Sequence, residues 1–96
     1  MYLIYVIITN KGLKMNEKIK MIFEKYQKLN LNIKEMSEVI GVSPSKTSKM
    51  FSDIGEKEIL KQKILPKWRK VGGMRLWAIE EILSWNEQTE LKAKVA

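Results

Sequence analysis

The sequence predicts a mainly α-helical fold completed by one small β-hairpin. Three observations support this prediction: an apolar stripe at helical spacing from Ile19 to Tyr26, a helix–turn–helix pattern from Leu31 to Phe51, and a Gly-Gly pair at 72–73 between two short apolar segments. The chain has 96 residues, 45% hydrophobic and 30% charged, which suits one compact domain. We expect three to four helices and one hairpin within residues 15–88.

Capping signals set the expected limits of the first two helices. Asn16 is a typical N-cap for the first helix, and Asn30 is a typical residue at its end. The stripe of Ile19, Ile22, Phe23 and Tyr26 would face inward, with the lysines of this helix, Lys18 included, facing outward. Asn32 and Glu35 form a capping-box pattern for the second helix. Gly41 can end that helix because glycine tolerates the left-handed conformation.

A third helix is expected to begin at Ser43 and Pro44, since proline at the first helical position has no N–H to lose. Thr47, Met50 and Phe51 have the spacing of an inward face, with Ile54 following. The opposite face carries two hydroxyls and two cations without an acid: Ser45, Lys46, Ser48 and Lys49. Such donors suit base-edge acceptors and phosphates in the major groove of DNA. The alternative is an ordinary polar surface helix.

The segment 64–77 predicts a hairpin that turns at Gly72–Gly73. Trp68 and Val71 on one strand should pack with Leu76 and Trp77 on the other, although the tryptophans could instead stack on single-stranded bases. The cations of this region would remain available for phosphate: Lys63, Lys67, Arg69, Lys70 and Arg75. The preceding segment, 52–63, fits either a loop or a short helix.

Charge is distributed unevenly along the chain. The net charge of +7 and the pI near 9.7 favour a polyanionic partner. Seven of the basic residues and only three acids lie between Asp53 and Trp77. Ile79, Ile82, Leu83 and Trp85 predict a closing helix, and the last residues, 89–96, are expected to be a frayed polar tail. The outer face of the closing helix is acidic, with Glu80 and Glu81 in the first turn, and it should lie away from DNA.

The composition excludes most hydrolytic enzyme mechanisms. The sequence contains no Cys and no His, which removes the usual zinc ligands and the Ser-His-Asp and Cys-His nucleophile systems. The Gly-Gly pair lacks the frame of a phosphate-binding P-loop. Adjacent glutamates such as Glu80 and Glu81 do not face each other on a helix. We therefore expect no enzymatic activity, no cofactor and no metal, and a cytoplasmic location.

The N-terminal segment, residues 1–14, differs from the rest of the chain. Its run of about eight apolar residues is too short for a membrane span, which needs roughly 20. Its β-branched and aromatic residues favour a strand or an appended arm. Alternatively, Met15 is the natural start. If the segment pairs with another chain, the protein could instead be an interaction module that dimerises through it.

Together, LNIKEMSEVIGVSPSKTSKMF and ILPKWRKVGGMRLWAIEEILSW resemble the small winged helix-turn-helix proteins of the excisionase and AlpA-like group, which are related to the DNA-binding domain of MerR regulators. The resemblance covers residues 31–85. It implies a sequence-specific binder of double-stranded DNA, with the helix from Pro44 in the major groove and the Gly72–Gly73 wing along the backbone or in the minor groove. A homodimer or a cooperative assembly on DNA is a further expectation. Base readout would fall on Ser45, Lys46, Ser48 and Lys49, and backbone or wing contacts on Ser43, Lys63, Lys67, Arg69, Lys70, Gly72, Gly73 and Arg75.

Proteins of this group regulate transcription in mobile elements or direct integrases, and similar domains begin the small terminase subunits of phages. The resemblance thus implies an integrase or terminase partner and no membrane. This chain departs from the pattern at Pro44 and Lys46, in the longer connection after Phe51 and in its additional first helix.

Overall fold

The structure is a computed structural model that describes the backbone of residues 12–95 and the side chains of residues 12–88. Residues 1–11 fall outside this range. The strand or arm predicted for the N-terminal segment, and dimerisation through it, therefore concern residues that the structure does not describe.

Within the described range the chain forms five α-helices and three short β-strands. In chain order these are α1 Met15–Tyr26, β1 Asn30–Leu31, α2 Ile33–Ile40, α3 Pro44–Asp53, α4 Glu56–Gln62, β2 Arg69–Val71, β3 Met74–Ala78 and α5 Ile79–Val95. The prediction of a mainly helical fold with a small hairpin is confirmed. The predicted number of helices was too low.

The additional helix is α4, within the segment that the sequence left open between loop and helix. Gly55, at φ 93°, precedes it, and Glu56 and Glu58 occupy its first turn, where acids favour the helix dipole. Lys63 ends it in the left-handed conformation at φ 54°. Ile59 is fully buried, so one apolar residue anchors this short helix in the core.

The three strands form one antiparallel sheet in the order β1-β3-β2. β3 pairs with β2 through the hairpin and with β1 through Leu31 and Trp77. The sequence did not predict β1, and Asn30, expected to end the first helix, lies in it instead. Helix α1 already ends at Tyr26, with Gln27 in the left-handed conformation. The pairing with β3, far along the chain, holds this segment extended.

The core lies between the sheet and the helices, and it is closed by α5. Fully buried side chains from α1, β1, α2, α4, β3 and α5 line it, among them Ile22, Leu31, Met36, Ile59, Trp77 and Ile82. Trp77 Nε1 donates a hydrogen bond to Pro66 O at 2.8 Å, which satisfies the indole N–H inside the core. The predicted inward positions Ile79, Ile82 and Leu83 are confirmed.

Several sequence expectations for individual side chains were wrong. Phe23 and Ile54 are 37% and 40% exposed, and Val71 is 51% exposed, although all three were expected to pack inward. Lys18, expected on the outer face of α1, is buried. It lies one turn before Ile22, the buried centre of this helix, so its aliphatic stem can cover the same apolar surface.

The limits of two helices also differ from the sequence expectations. Helix α1 begins at Met15 with Lys14 as its N-cap, and no side chain caps it, so Asn16 is not the cap. Helix α5 continues to Val95, so the backbone is helical through most of the expected polar tail, 89–96. In the range that the structure describes, no helix is both long and apolar enough to cross a membrane.

Candidate nucleic-acid interface

The candidate site is built on the helix pair α2–α3, whose turn is set by local hydrogen bonds. At the start of α2, Asn32 Oδ1 accepts from Glu35 N at 2.9 Å, and Glu35 Oε1 accepts from Asn32 N at 3.1 Å. This is the capping box that the sequence predicted. At its end, Gly41 adopts φ 80°, and Val42 N donates to Ser37 O at 2.9 Å. The turn between the helices is therefore short and fixed at both sides.

Helix α3 begins as the sequence predicted. Ser43 Oγ accepts a hydrogen bond from Lys46 N at 3.1 Å, and Pro44 occupies the first helical position. Ser43 is exposed, and its hydroxyl proton is not used by this cap bond. The predicted contact of Ser43 with the DNA backbone is thus compatible with its capping role.

Two buried hydroxyls connect α3 to α2. Ser37 Oγ lies 2.8 Å from Thr47 Oγ1 and 2.6 Å from Ile33 O, while Thr47 Oγ1 lies 3.1 Å from Ser43 O. Both side chains are fully buried. Because each hydroxyl has one proton, two protons serve three contacts, and each oxygen keeps at least one partner. This pair fixes the two helices against each other at the point where they cross closest to the turn.

The outer face of α3, defined as Ser45, Lys46, Ser48 and Lys49, is exposed at all four positions, as the sequence predicted. Among the described residues, neither Lys46 nor Lys49 forms a salt bridge. The nearest acid in the helix is Asp53, at its end. Base readout by these residues stays a prediction.

The inner side of α3 packs against the hairpin through an aromatic cluster of Phe51, Trp68 and Trp77. Ring centroids lie 5.2 Å apart for Phe51 and Trp68, 6.4 Å for Phe51 and Trp77, and 5.8 Å for the two tryptophans. Edge-to-face contacts at these distances are favourable. Trp77 is buried and Trp68 is half-buried, which agrees with core packing rather than with base stacking. The cluster seats the hairpin beside the end of α3.

The hairpin turns at the predicted glycines, with φ of 57° at Gly72 and 82° at Gly73. Positive φ at both central residues is the type I′ arrangement, which glycine adopts without a steric cost. Val71 and Met74 flank the turn as a cross-strand pair. The turn itself is open, because a Cβ at either glycine would meet nothing within 4 Å.

Glu56, in the first turn of α4, forms ion pairs with two cations of the hairpin. Its carboxylate lies 3.0 Å from Lys70 Nζ and accepts from Arg75 Nε at 2.9 Å. Arg75 also stacks on the Phe51 ring, with Cζ 4.0 Å from the ring centroid. Hydrogen bonds from Lys70 and then Arg75 hold the pKa of Glu56 below its usual value. Lys70 and Arg75, predicted from the sequence to be available for phosphate, are thus ion-paired in the structure, and their contact with phosphate stays a prediction.

This contact was missed because Glu56 lies 14 residues from Lys70 and 19 from Arg75 in sequence. The segment from Lys61 to Arg75 indeed contains no acid, but the fold brings one to it from the preceding helix. The only sequence signal was the position of Glu56 just after Gly55, which suited the start of a helix.

The remaining hairpin-side cations lie toward α5. Lys67 and Arg69 line a surface cavity of about 270 Å³ together with Glu81, and Lys63 and Lys67 line a neighbouring one of about 430 Å³ with the same glutamate. Lys63 O also accepts from Trp85 Nε1 at 2.8 Å. In the range of described side chains none of these cations forms a salt bridge. They are exposed, but an acid lies in their surroundings.

Chemically, the arrangement offers hydrogen-bond donors and cations rather than a reaction centre. The part of the chain that the structure describes holds no group of three or more acids that could bind a metal ion. No known family model matches the chain, and no match was found among curated proteins or among solved structures. The function must therefore be argued from these residues.

Proposed function

We propose that this chain is a sequence-specific double-stranded DNA-binding protein with a winged helix-turn-helix domain. Helix α3 would enter the major groove, and the β2–β3 hairpin would be the wing. The observation that supports this most directly is the outer face of α3, where four exposed donors lie side by side and neither lysine has a salt-bridge partner among the described residues. Ammonium and hydroxyl groups can meet both phosphates and base-edge acceptors.

The rigidity of the helix pair adds to this support. Base readout requires that side chains reach base edges in a defined register, so the helix that carries them must be held firmly. The Ser37–Thr47 contact, the Ser43 cap and the Gly41 turn hold α3 at its first turns. In the proposal these first turns carry Ser45 and Lys46 to the base edges.

The wing has a narrower role in this proposal than the sequence suggested. The Lys70 side chain is 56% exposed and can exchange Glu56 for a phosphate. Arg75, at 32%, is held by both Glu56 and Phe51, and it supports the wing from behind. Backbone contacts would then come from Lys70, Arg69 and Lys67. Neutralised phosphates release counterions, which makes binding depend strongly on salt.

A salt titration followed by fluorescence anisotropy tests the proposal. The whole chain is titrated against a labelled mixed-sequence duplex and against the corresponding single strand. We expect tighter binding to the duplex, with affinity falling by about 0.9 log unit per log unit of salt for each neutralised phosphate. Equal binding of the single strand, or no duplex binding at low salt, would contradict the proposal. Selection from a random duplex library then gives the site.

The biological role that we propose follows the resemblance to excisionase and AlpA-like proteins: a cytoplasmic transcriptional regulator or excisionase-like factor of a phage or mobile element. The alternative is a DNA-recognition domain like that of small terminase subunits. These roles use the same domain with different partners. An adjacent integrase gene, an adjacent terminase gene or a divergent promoter would each favour one of them.

A further inference from the structure

The tip of the hairpin is apolar and exposed. Val71 and Met74, which face each other across the strands, are 51% and 57% exposed. The turn between them has no side chains and open space around it. The tip therefore contributes little to the core, and its two hydrophobic side chains are exposed to water.

The pairing of the strands places the tip between cations. Successive residues of a strand point to opposite faces, so the pairs Val71–Met74 and Arg69–Leu76 share one face, and Lys70–Arg75 lies on the other. That second face contacts Glu56 and Phe51. The apolar tip is consequently backed by Arg69 on its own face and by Lys70 on the opposite face.

This combination fits the minor groove of a duplex better than it fits an apolar protein surface. The strands advance roughly 3.3 Å per residue, so the turn lies on the order of 10 Å beyond Trp68, where the hairpin packs on α3. Its leading edge is glycine backbone, narrow enough to approach a groove about 6 Å wide. Arg69, on the free face, can reach a phosphate at one edge of that groove, and Lys70, whose side chain is 56% exposed, can reach one on the opposite face by exchanging Glu56 for the phosphate.

We propose that the hairpin tip inserts Val71 and Met74 into the minor groove and wedges open a base step. This inference rests on the proposed function and adds to it the kind of DNA preferred. Apolar side chains that enter the minor groove partly unstack the bases and kink the duplex. Pyrimidine–purine steps such as TA unstack most readily, so the chain favours sites in which a TA step lies under the wing.

The test uses two duplexes of equal composition, one with repeated TA steps and one with an A-tract. Each carries 2-aminopurine, whose fluorescence rises when its base unstacks. With the whole chain in excess, we expect fluorescence to rise on the TA duplex and this duplex to bind more tightly. The double variant Val71→Ser, Met74→Ser loses the rise and binds about tenfold more weakly, the effect of losing roughly one buried apolar side chain.

Leu29→Ser is the matched control, because Leu29 is 62% exposed and lies beside β1, at the other end of the sheet from the tip. It should retain the fluorescence rise. Wild-type binding with the expected salt dependence but without unstacking or TA preference would overturn the wedge and leave the proposed function standing. Absence of duplex binding would overturn both. If the double variant changed only sedimentation, the tip would be a protein contact, and the wedge would again be overturned.

Discussion

The outer face of α3 and the hairpin are both basic, but they differ in how many of their cations are ion-paired. Lys46 and Lys49 have no ion-pair partner among the described residues, whereas Lys70 and Arg75 share the Glu56 carboxylate. The charge density of a sequence segment is thus a poor guide to the charge that it can offer a ligand. Of the three cations on β2 and β3, only Arg69 lacks a salt-bridge partner among the described residues, whereas both lysines on the outer face of α3 lack one.

The difference has a structural origin. The outer face of α3 is exposed at all four positions, and no described acid forms a salt bridge with its lysines. The hairpin is seated on α3 and α4 through Phe51, Trp68 and Glu56, and this contact holds the hairpin in place at the cost of part of its free charge. We therefore expect α3 to contribute more to DNA affinity, and the hairpin to contribute through its orientation and its tip.

Replacement of Trp77 by Ala should have the largest effect, because both regions depend on this residue. Trp77 is fully buried and contacts Phe51 of α3 and Trp68 of the hairpin. Loss of a buried tryptophan costs about 3–5 kcal/mol in the free energy of unfolding. Urea denaturation measures this loss. Val71→Ala, at an exposed position of the same hairpin, should change stability by less than about 0.5 kcal/mol. Equal changes in the free energy of unfolding for Trp77→Ala and Val71→Ala would contradict the packing of the hairpin on α3 through Trp77.

Replacement of Lys46 and Lys49 by Ala should reduce DNA affinity next most strongly. If both contact phosphates, the salt slope falls by roughly two units. If Lys46 reads a base, its loss costs roughly 1–3 kcal/mol and changes base preference. Lys70→Ala should lower the slope by less than one unit, since Glu56 already compensates this charge. Anisotropy titrations of the wild type, the variant with both Lys46→Ala and Lys49→Ala, and Lys70→Ala measure these salt slopes. A larger loss of affinity with Lys70→Ala would contradict the expectation that α3 contributes more than the hairpin.

Replacement of Thr47 by Val tests the connection between α2 and α3. It keeps the shape of the side chain but removes the hydroxyl that contacts Ser37 and Ser43 O. A lost buried hydrogen bond costs about 1 kcal/mol in the free energy of unfolding. Thr47→Ser keeps the hydroxyl and serves as the control in the same denaturation series. Loss in Thr47→Ser without loss in Thr47→Val would instead assign the role of Thr47 to packing of its methyl group.

Replacement of Glu56 by Gln should change the free energy of unfolding least among these variants. It should raise DNA affinity, whereas the lysine replacements lower it. Freed from the carboxylate, Lys70 can neutralise a phosphate, so duplex affinity rises and the salt slope steepens by up to about 0.9. Unchanged or weaker binding would show that Glu56 positions the hairpin cations rather than competing for them. Glu56→Asp keeps the charge and is the matched control.

The pH dependence of Glu56 has a defined sign. Because its pKa is lower in the folded protein than its ordinary value of 4.5, its stabilising contribution is present above that value. The contribution is lost as the pH falls through the lowered pKa. Wild type should therefore be more stable than Glu56→Gln at neutral pH, and urea denaturation at decreasing pH should show the difference closing.

The helix pair was largely predictable, because its signals are local. The capping box of Asn32 and Glu35, the left-handed Gly41 and the Ser43–Pro44 start each act within a few residues. The same holds for the Gly72–Gly73 turn. Once these limits were known, helical spacing assigned Thr47 to the inside and Lys46 to the outside, and both assignments are confirmed.

Predictions that depended on contacts between distant segments were less accurate. Helical spacing shows which residues share a face, but it does not show which of them lie at the centre of the contact with the core. Lys18 was therefore placed outside and Phe23 inside, and both placements were wrong. Strand β1 exists because β3 pairs with it, and no local signal announced it. Val71 was expected to pack inward, but alternation along the strand places it on the opposite face from Lys70 and Arg75, which contact Glu56 and Phe51.

By itself, the sequence determined where the helices of the helix pair begin and end, where the hairpin turns, and which side chains α3 presents to solvent. The physical reason is that capping, positive φ and helical spacing are properties of a few consecutive residues. Only the tertiary structure decided that Glu56 pairs with Lys70 and Arg75, and that Val71 and Met74 form an exposed tip. Ion pairing and burial depend on which distant segments meet, and packing alone brings those segments together.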